Sequence, residues 1–157
     1  MRLNVIANNS TGAKSMQVAQ IMTKNVHIVS PDDSVAAVAR HMADNDIGFL
    51  PVGQNDRLVG TITDRDIVVR CVADGRNGDM TVAEVMSTNV KYCYEDEEIG
   101  DVARNMGDIQ VRRLPVLNRD KRLVGVVSLA DAARGDPSLA GAGLQGVTTP
   151  GGAHNQE

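Results

Sequence analysis

At 157 residues and 42% hydrophobic content, the chain can build a core, but only 2% of it is aromatic, so that core must be aliphatic. So few rings argue against single-stranded nucleic-acid binding by base stacking, and a net charge of −4 leaves no basic footprint for duplex DNA or anionic lipid. No apolar run approaches the roughly 18 residues that cross a bilayer, and Met1–Ile6 carries no signal-peptide core.

Cys71 and Cys93 form no CxxC pair and stand at no metal-like spacing from a histidine. Reduced thiols and a cytoplasmic address are the expectation.

Residues 1–15 are polar and aperiodic and read as a flexible leader, with Met16 as an alternative start. A short helix is expected over about Gln17–Met22, then a strand over Val26–Val29. Pro31-Asp32-Asp33-Ser34 is turn and cap chemistry. Val35, Val38, Ala39 and Met42 then recur at i, i+3, i+4 and i+7, the apolar face of a helix. Ile47–Val52 reads as a buried strand, Gln54-Asn55-Asp56 as a turn and Leu58–Thr63 as the next strand.

Thr63 and Asp66 fall three residues apart where that strand enters a helix. One reading is a capping box, in which Thr63 accepts a backbone N–H and Asp66 reaches back. The other is an anion site at the helix start. There Thr63 donates to a phosphate and Asp66 accepts from a vicinal diol such as a ribose. The helix continues through Ile67-Val68-Val69 and stops near Gly75.

After a polar linker at 76–80 the pattern restarts. Thr81-Val82-Ala83-Glu84 is a capping box opening a short helix that ends near Met86, and Val90–Tyr94 is a strand. Ile99, Val102, Ala103 and Met106 repeat the helical face. Val111–Leu117 is a strand, Asn118-Arg119-Asp120 a turn, Leu123–Ser128 the last strand, and a short helix closes the pattern near Asp131. Beyond Gly135 apolar periodicity is lost, which predicts a disordered tail over 135–157.

Met22 and Met86 differ by 64, as do Val26 and Val90, Val38 and Val102, and Pro51 and Pro115. One extra residue in the second turn makes the offset 65 for Gly60 and Gly125, Thr63 and Ser128, and Asp66 and Asp131. An internal repeat of this length is one supersecondary unit used twice, over 16–75 and 81–134.

With both copies laid out, the chain resembles a tandem pair of CBS domains (the cystathionine-β-synthase-type module), and is similar to stand-alone bacterial CBS pairs of the hypoxic-response type. Val59 to Ile67 and Val111 to Val116 carry the likeness. The resemblance implies an α/β fold, each repeat built helix–strand–helix–strand–strand–helix, packed about a pseudo-two-fold axis with two clefts between the repeats. It also implies homodimerisation into a disc and adenine nucleotides or adenosyl compounds as ligands. The motif G-h-x-[T/S]-x-x-D occurs twice, as Gly60/Thr63/Asp66 and Gly125/Ser128/Asp131.

The family further implies phosphate contacts from Arg112 and Arg113, directed at the ligand whose ribose the other repeat holds. Gly48 and Phe49 stand at the matching positions of the first repeat. The expectation is therefore unequal sites, with the Asp66 cleft clamped by Arg112 or Arg113, assisted by Arg65, and the Asp131 cleft without a clamp. Backbone at Asn25-Val26 and Asn89-Val90 is implied to meet adenine, and Ile47 and Val111 to frame it; by sequence alone these four apolar residues read as core.

The acids Glu95 to Glu98 complement the dipole of the helix that follows, and His27, His41 and His154 are scattered, so no metal site is expected. No Walker A loop, G-x-S-x-G or Rossmann fingerprint occurs. The expected function is a non-catalytic sensor of AMP, ADP or ATP that needs no cofactor and passes its state to an unidentified protein partner. The competing expectation is a structural or interaction CBS pair with no nucleotide ligand.

Overall fold

The computed structural model describes residues 15–148; the expected leader, apart from Ser15, and the tail beyond 148 lie outside them. Ser34 opens the first long helix, α1 (Val35–Asn45), its hydroxyl accepting the Ala37 N–H at 3.2 Å. Val35, Val38 and Met42 on its inner face are buried, as their spacing predicts. Asp46 ends α1 in the left-handed conformation at φ 52°.

Strands β1 (Phe49–Gln54) and β2 (Arg57–Thr63) pair antiparallel. Asn55 and Asp56, both at positive φ, form the two-residue turn that suits the strands' twist. A bulge falls between Val52 and Gly53. Thr63 then launches α2 (Asp64–Ile67), which loosens into one π-helical turn over Val68–Val72. Gly75, at φ +68°, takes the chain past the end of this segment.

The second copy runs α3 (Val82–Val85), β3 (Cys93–Tyr94), α4 (Ile99–Asp108), β4 (Arg113–Leu117), β5 (Leu123–Ser128) and α5 (Leu129–Gly135). β3 runs parallel to β4, and β4 antiparallel to β5. The fold is thus the expected α/β repeat pair, with three departures.

The first departure concerns the leading elements. The helix expected over Gln17–Met22 is a single 3-10 turn, Val18–Gln20. The strand expected over Val26–Val29 is one parallel bridge from Val29 to Val52, and that over Val90–Tyr94 is confined to β3. Tight turns shorten both strands: the Val26 N–H donates to Lys24 O at 3.1 Å and the Val90 N–H to Thr88 O at 2.9 Å.

The second departure lies in the expected tail, where Leu139–Thr148 form a helix, α6, packed against α4 and α5. Its Gly and Ala residues leave no amphipathic signature, but they let backbones meet. A Cβ added to Gly146 would lie 2.4 Å from the Gly107 Cα.

The third departure is that packing crosses the repeat boundaries. Val82 and Val85, from the second repeat, are buried among Val35, Val38, Leu50 and Ile62 of the first. Val18, from the first, is buried among Ile99, Val102, Leu114 and Val127 of the second. The backbone repeats this exchange: Val18 and Ala19 donate to Glu97 and Glu95 carbonyls, and Val82 and Ala83 to Asp33 and Pro31 carbonyls. Each half therefore owns a core that it cannot close alone.

Candidate functional site

The exchanged turns also cross the last strand of the other repeat. Ser87 pairs with Thr61 on β2, and Thr23 with Val126 on β5. Glycine is required where they cross. A Cβ at Gly60 would fall 3.0 Å from Ser87 O, and one at Gly125 2.8 Å from Thr23 O. The chain entering Val90 is thereby brought beside the strand that ends at Thr63. The chain entering Val26 comes beside the strand that ends at Ser128. The two polar junctions each face a segment of the opposite repeat.

Both junctions are capping boxes. The Asp66 N–H donates to Thr63 Oγ1 at 3.0 Å, and the Thr63 N–H donates to Asp66 Oδ2 at 2.9 Å. The Asp131 N–H donates to Ser128 Oγ at 3.1 Å and the Ser128 N–H to Asp131 Oδ2 at 2.9 Å, while the Ser128 hydroxyl also donates to that oxygen at 2.8 Å. Each carboxylate's second oxygen meets an arginine: Arg70 lies 3.6 Å from Asp66 Oδ1, and Arg134 pairs with Asp131. Arg70 also donates to Val85 O at 2.8 Å and to Ser87 Oγ at 3.2 Å. It ties the Asp66 helix to the crossing turn, a connection that sequence spacing does not disclose.

The two starts differ chemically. In β4 the register partner of Ser128 is Arg113; in β1 the partner of Thr63 is Phe49. Cross-strand partners share a sheet face, so Arg113 belongs with its own repeat's Ser128. Arg112 is held beside the same start by its carbonyl, which accepts the Leu129 N–H at 3.0 Å. Both arginines are exposed and make no ion pair among the described residues. Register and this hydrogen bond thus set both arginines beside the Ser128 start of their own repeat.

At the first junction Gly48 replaces Arg112, and the Asp64 carboxylate lies over it, 2.8 Å from where a Cβ would stand. Asp64 also accepts the Arg65 N–H at 2.8 Å. Leu129, the counterpart of Asp64, brings no such negative charge. Arg65 is exposed and, among the described residues, in no ion pair.

Val26 and Val90 are half-buried and absent from either core. Ile47 and Val111 are also half-buried, packed on the edges of the first and second cores respectively. All four leave apolar surface exposed, as a base-lining residue must.

No three His, Cys, Asp or Glu converge among the described residues. Cys71 and Cys93 are free and buried. Burial pushes the Cys93 thiol up to about 12, away from nucleophilic chemistry. Among the described residues no helix is long and apolar enough to cross a membrane.

Two interlocked α/β repeats, each ending a hairpin in a capped helix start, define the class as a tandem repeat module. The chain belongs to the CBS-domain family, whose model matches residues 18–72 and 82–136. Hypoxic response protein 1 of Mycobacterium tuberculosis is 38% identical over 122 residues, 76% of this chain and 85% of that one. A crystal structure of hypoxic response protein I with two coordinated zinc ions covers 76% of this chain and 98% of that chain, at 36% identity and a TM-score of 0.68.

Two further similar structures hold adenosyl ligands. The CBS domain pair of protein MJ0100, in complex with 5′-methylthioadenosine and S-adenosyl-L-methionine, is 29% identical with a TM-score of 0.69, covering 79% of this chain and 98% of that one. CBSX2 in complex with AMP is 25% identical with a TM-score of 0.67, covering 78% and 97%.

Proposed function

We propose that this chain is a non-catalytic regulatory module that binds an adenine nucleotide or adenosyl compound at the Thr63/Asp66 and Ser128/Asp131 junctions. The observation that carries the reading is the crossing: each junction is faced by the turn of the other repeat. A ligand seated there touches both halves. Its affinity then depends on how they pack, which is the requirement for a ligand to shift a conformational equilibrium. The adenosyl ligands of two similar CBS pairs supply the ligand class.

On this reading Asp66 and Asp131 each accept from ribose hydroxyls, using lone pairs left by the capping bonds. Val90 and Ile47 line the base in one cleft, Val26 and Val111 in the other. Arg113, aided by Arg112, takes the phosphate in the Asp131 cleft, while Asp64 opposes a phosphate in the Asp66 cleft. The Asp131 cleft therefore prefers AMP. The Asp66 cleft, with Gly48 and Phe49 in place of the two arginines, prefers uncharged or cationic adenosyl compounds.

The second reading, a scaffold without nucleotide, draws on the fact that both carboxylates already have partners for both oxygens. Thermal denaturation across AMP, ATP, S-adenosylmethionine and NAD separates the two. A ligand at 100 times its Kd stabilises by about 2.7 kcal/mol. A shift with an adenosyl ligand supports the sensor, and no shift with any of the four supports the scaffold.

A further inference from the structure

The tips of the two hairpins lie side by side, tied by an ion pair from Asp56 to Arg122 at 3.2 Å. Between them is a cavity of about 290 Å³. Ile28, Leu58 and Leu123 line it with apolar surface, and Arg57, Asp56 and Arg122 with charge. Ile28 leaves 52% of its surface exposed. Its side chain leans over the bulge in β1, so close that a Cβ at Gly53 would lie 2.8 Å from it.

The second repeat carries aromatic rings at the matching positions. Tyr92 stands 64 positions after Ile28, Tyr94 after Ser30, and Leu117 after Gly53. The two tyrosine rings meet edge to face at 5.6 Å; Arg119 lies 4.1 Å over Tyr94, and Lys121 donates to the Tyr92 hydroxyl at 2.8 Å. The first repeat carries Ile28, Ser30 and Gly53 at those positions instead.

We propose that this cavity is a second ligand site, for a small amphipathic monoanion such as an aliphatic carboxylate. Arg57 makes no ion pair with a described residue, and Arg122 and Asp56 are paired but exposed. With two arginines and one aspartate the lining carries a charge of +1, which one carboxylate neutralises. The exposed Asp56 pair is the weak kind that a ligand can displace. Ile28, Leu58 and Leu123 take the hydrocarbon part, and the volume is near the lower limit for small-molecule pockets.

The site is separate from the helix starts, since Arg57 begins β2 and Thr63 ends it. It draws lining from both repeats, so its ligand clamps the hairpin tips together. The proposal does not depend on nucleotide binding.

Methyl NMR of the full chain with hexanoate, and with hexanol as the uncharged control, tests it. Saturable shifts of the Ile28, Leu58 and Leu123 methyls are expected with hexanoate, at least tenfold weaker with hexanol. Arg57→Ala/Arg122→Ala lowers hexanoate affinity at least tenfold, and Ile28→Tyr, which supplies the second repeat's bulk, abolishes the shifts. Absence of saturation, equal binding of hexanol, or full affinity in the double variant overturns the proposal. So do shifts at these methyls that follow protein concentration instead, because they assign the surface to a second copy of the chain.

Discussion

Gly60 and Gly125 belong to the paired motif for a reason unrelated to ligand: a backbone carbonyl of the other repeat occupies the space of a side chain. A methyl group at either site must push that carbonyl away, and the crossing is tighter at Gly125 than at Gly60. Gly125→Ala should lower stability by about 1–3 kcal/mol, and Gly60→Ala by less, in urea denaturation. Equal or negligible losses would mean that the crossings yield freely.

Cys93 offers a titration at the same scale. Burial raises its thiol to about 12 against an ordinary value of 9.0. Above pH 9 the unfolded chain loses this proton and the folded chain keeps it. The unfolded state then binds fewer protons, so stability falls as pH rises. Stability should decline between pH 9 and 12 more steeply in the wild type than in Cys93→Ala, measured by the urea midpoint at each pH. Identical slopes would show that the thiol titrates freely when folded.

Among the elements, the exchanged first helices decide how the repeats depend on one another. Val82 is fully buried in the core of the first half and Val18 in that of the second. Val82→Ala or Val18→Ala should cost about 2 kcal/mol. Each loss should appear in a single cooperative transition, since neither half closes its core alone. Two separate transitions would show that the halves fold independently.

The spacing of Val35, Val38 and Met42, and of Ile99, Val102 and Met106, reveals α1 and α4, because a buried helical face must recur with that period. The exchange is invisible to the same logic. A repeat fixes which segments are alike, not which copy they pack against. α6 escapes because its packing runs through Gly107 and Gly146, where glycine signals a loop to anyone reading composition. The leading strands are shorter than their valines suggest, because turns to Lys24 and Thr88 claim the N–H groups of Val26 and Val90.

For the whole molecule, pseudo-symmetry is close in backbone and broken in chemistry. The paired motif at Thr63/Asp66 and Ser128/Asp131 was legible in the sequence, as was the contrast between Arg112/Arg113 and Gly48/Phe49. Strand register sets Arg113 opposite Ser128 and Phe49 opposite Thr63, a pairing that spacing alone does not disclose. The hairpin tips break symmetry again, with a tyrosine stack on one side and a cavity on the other.

In the proposed function the two junctions are adenosyl sites and the Asp131 site carries the phosphate clamp. Isothermal titration with AMP tests it on four proteins: wild type, Asp66→Ala, Asp131→Ala and Arg113→Ala. A tighter site is expected, lost in Asp131→Ala and weakened at least tenfold in Arg113→Ala, about 1.4 kcal/mol or more. Asp66→Ala should leave that site intact. AMP binding that survives Asp131→Ala and Arg113→Ala but disappears in Asp66→Ala, or no binding to the wild type, would contradict it.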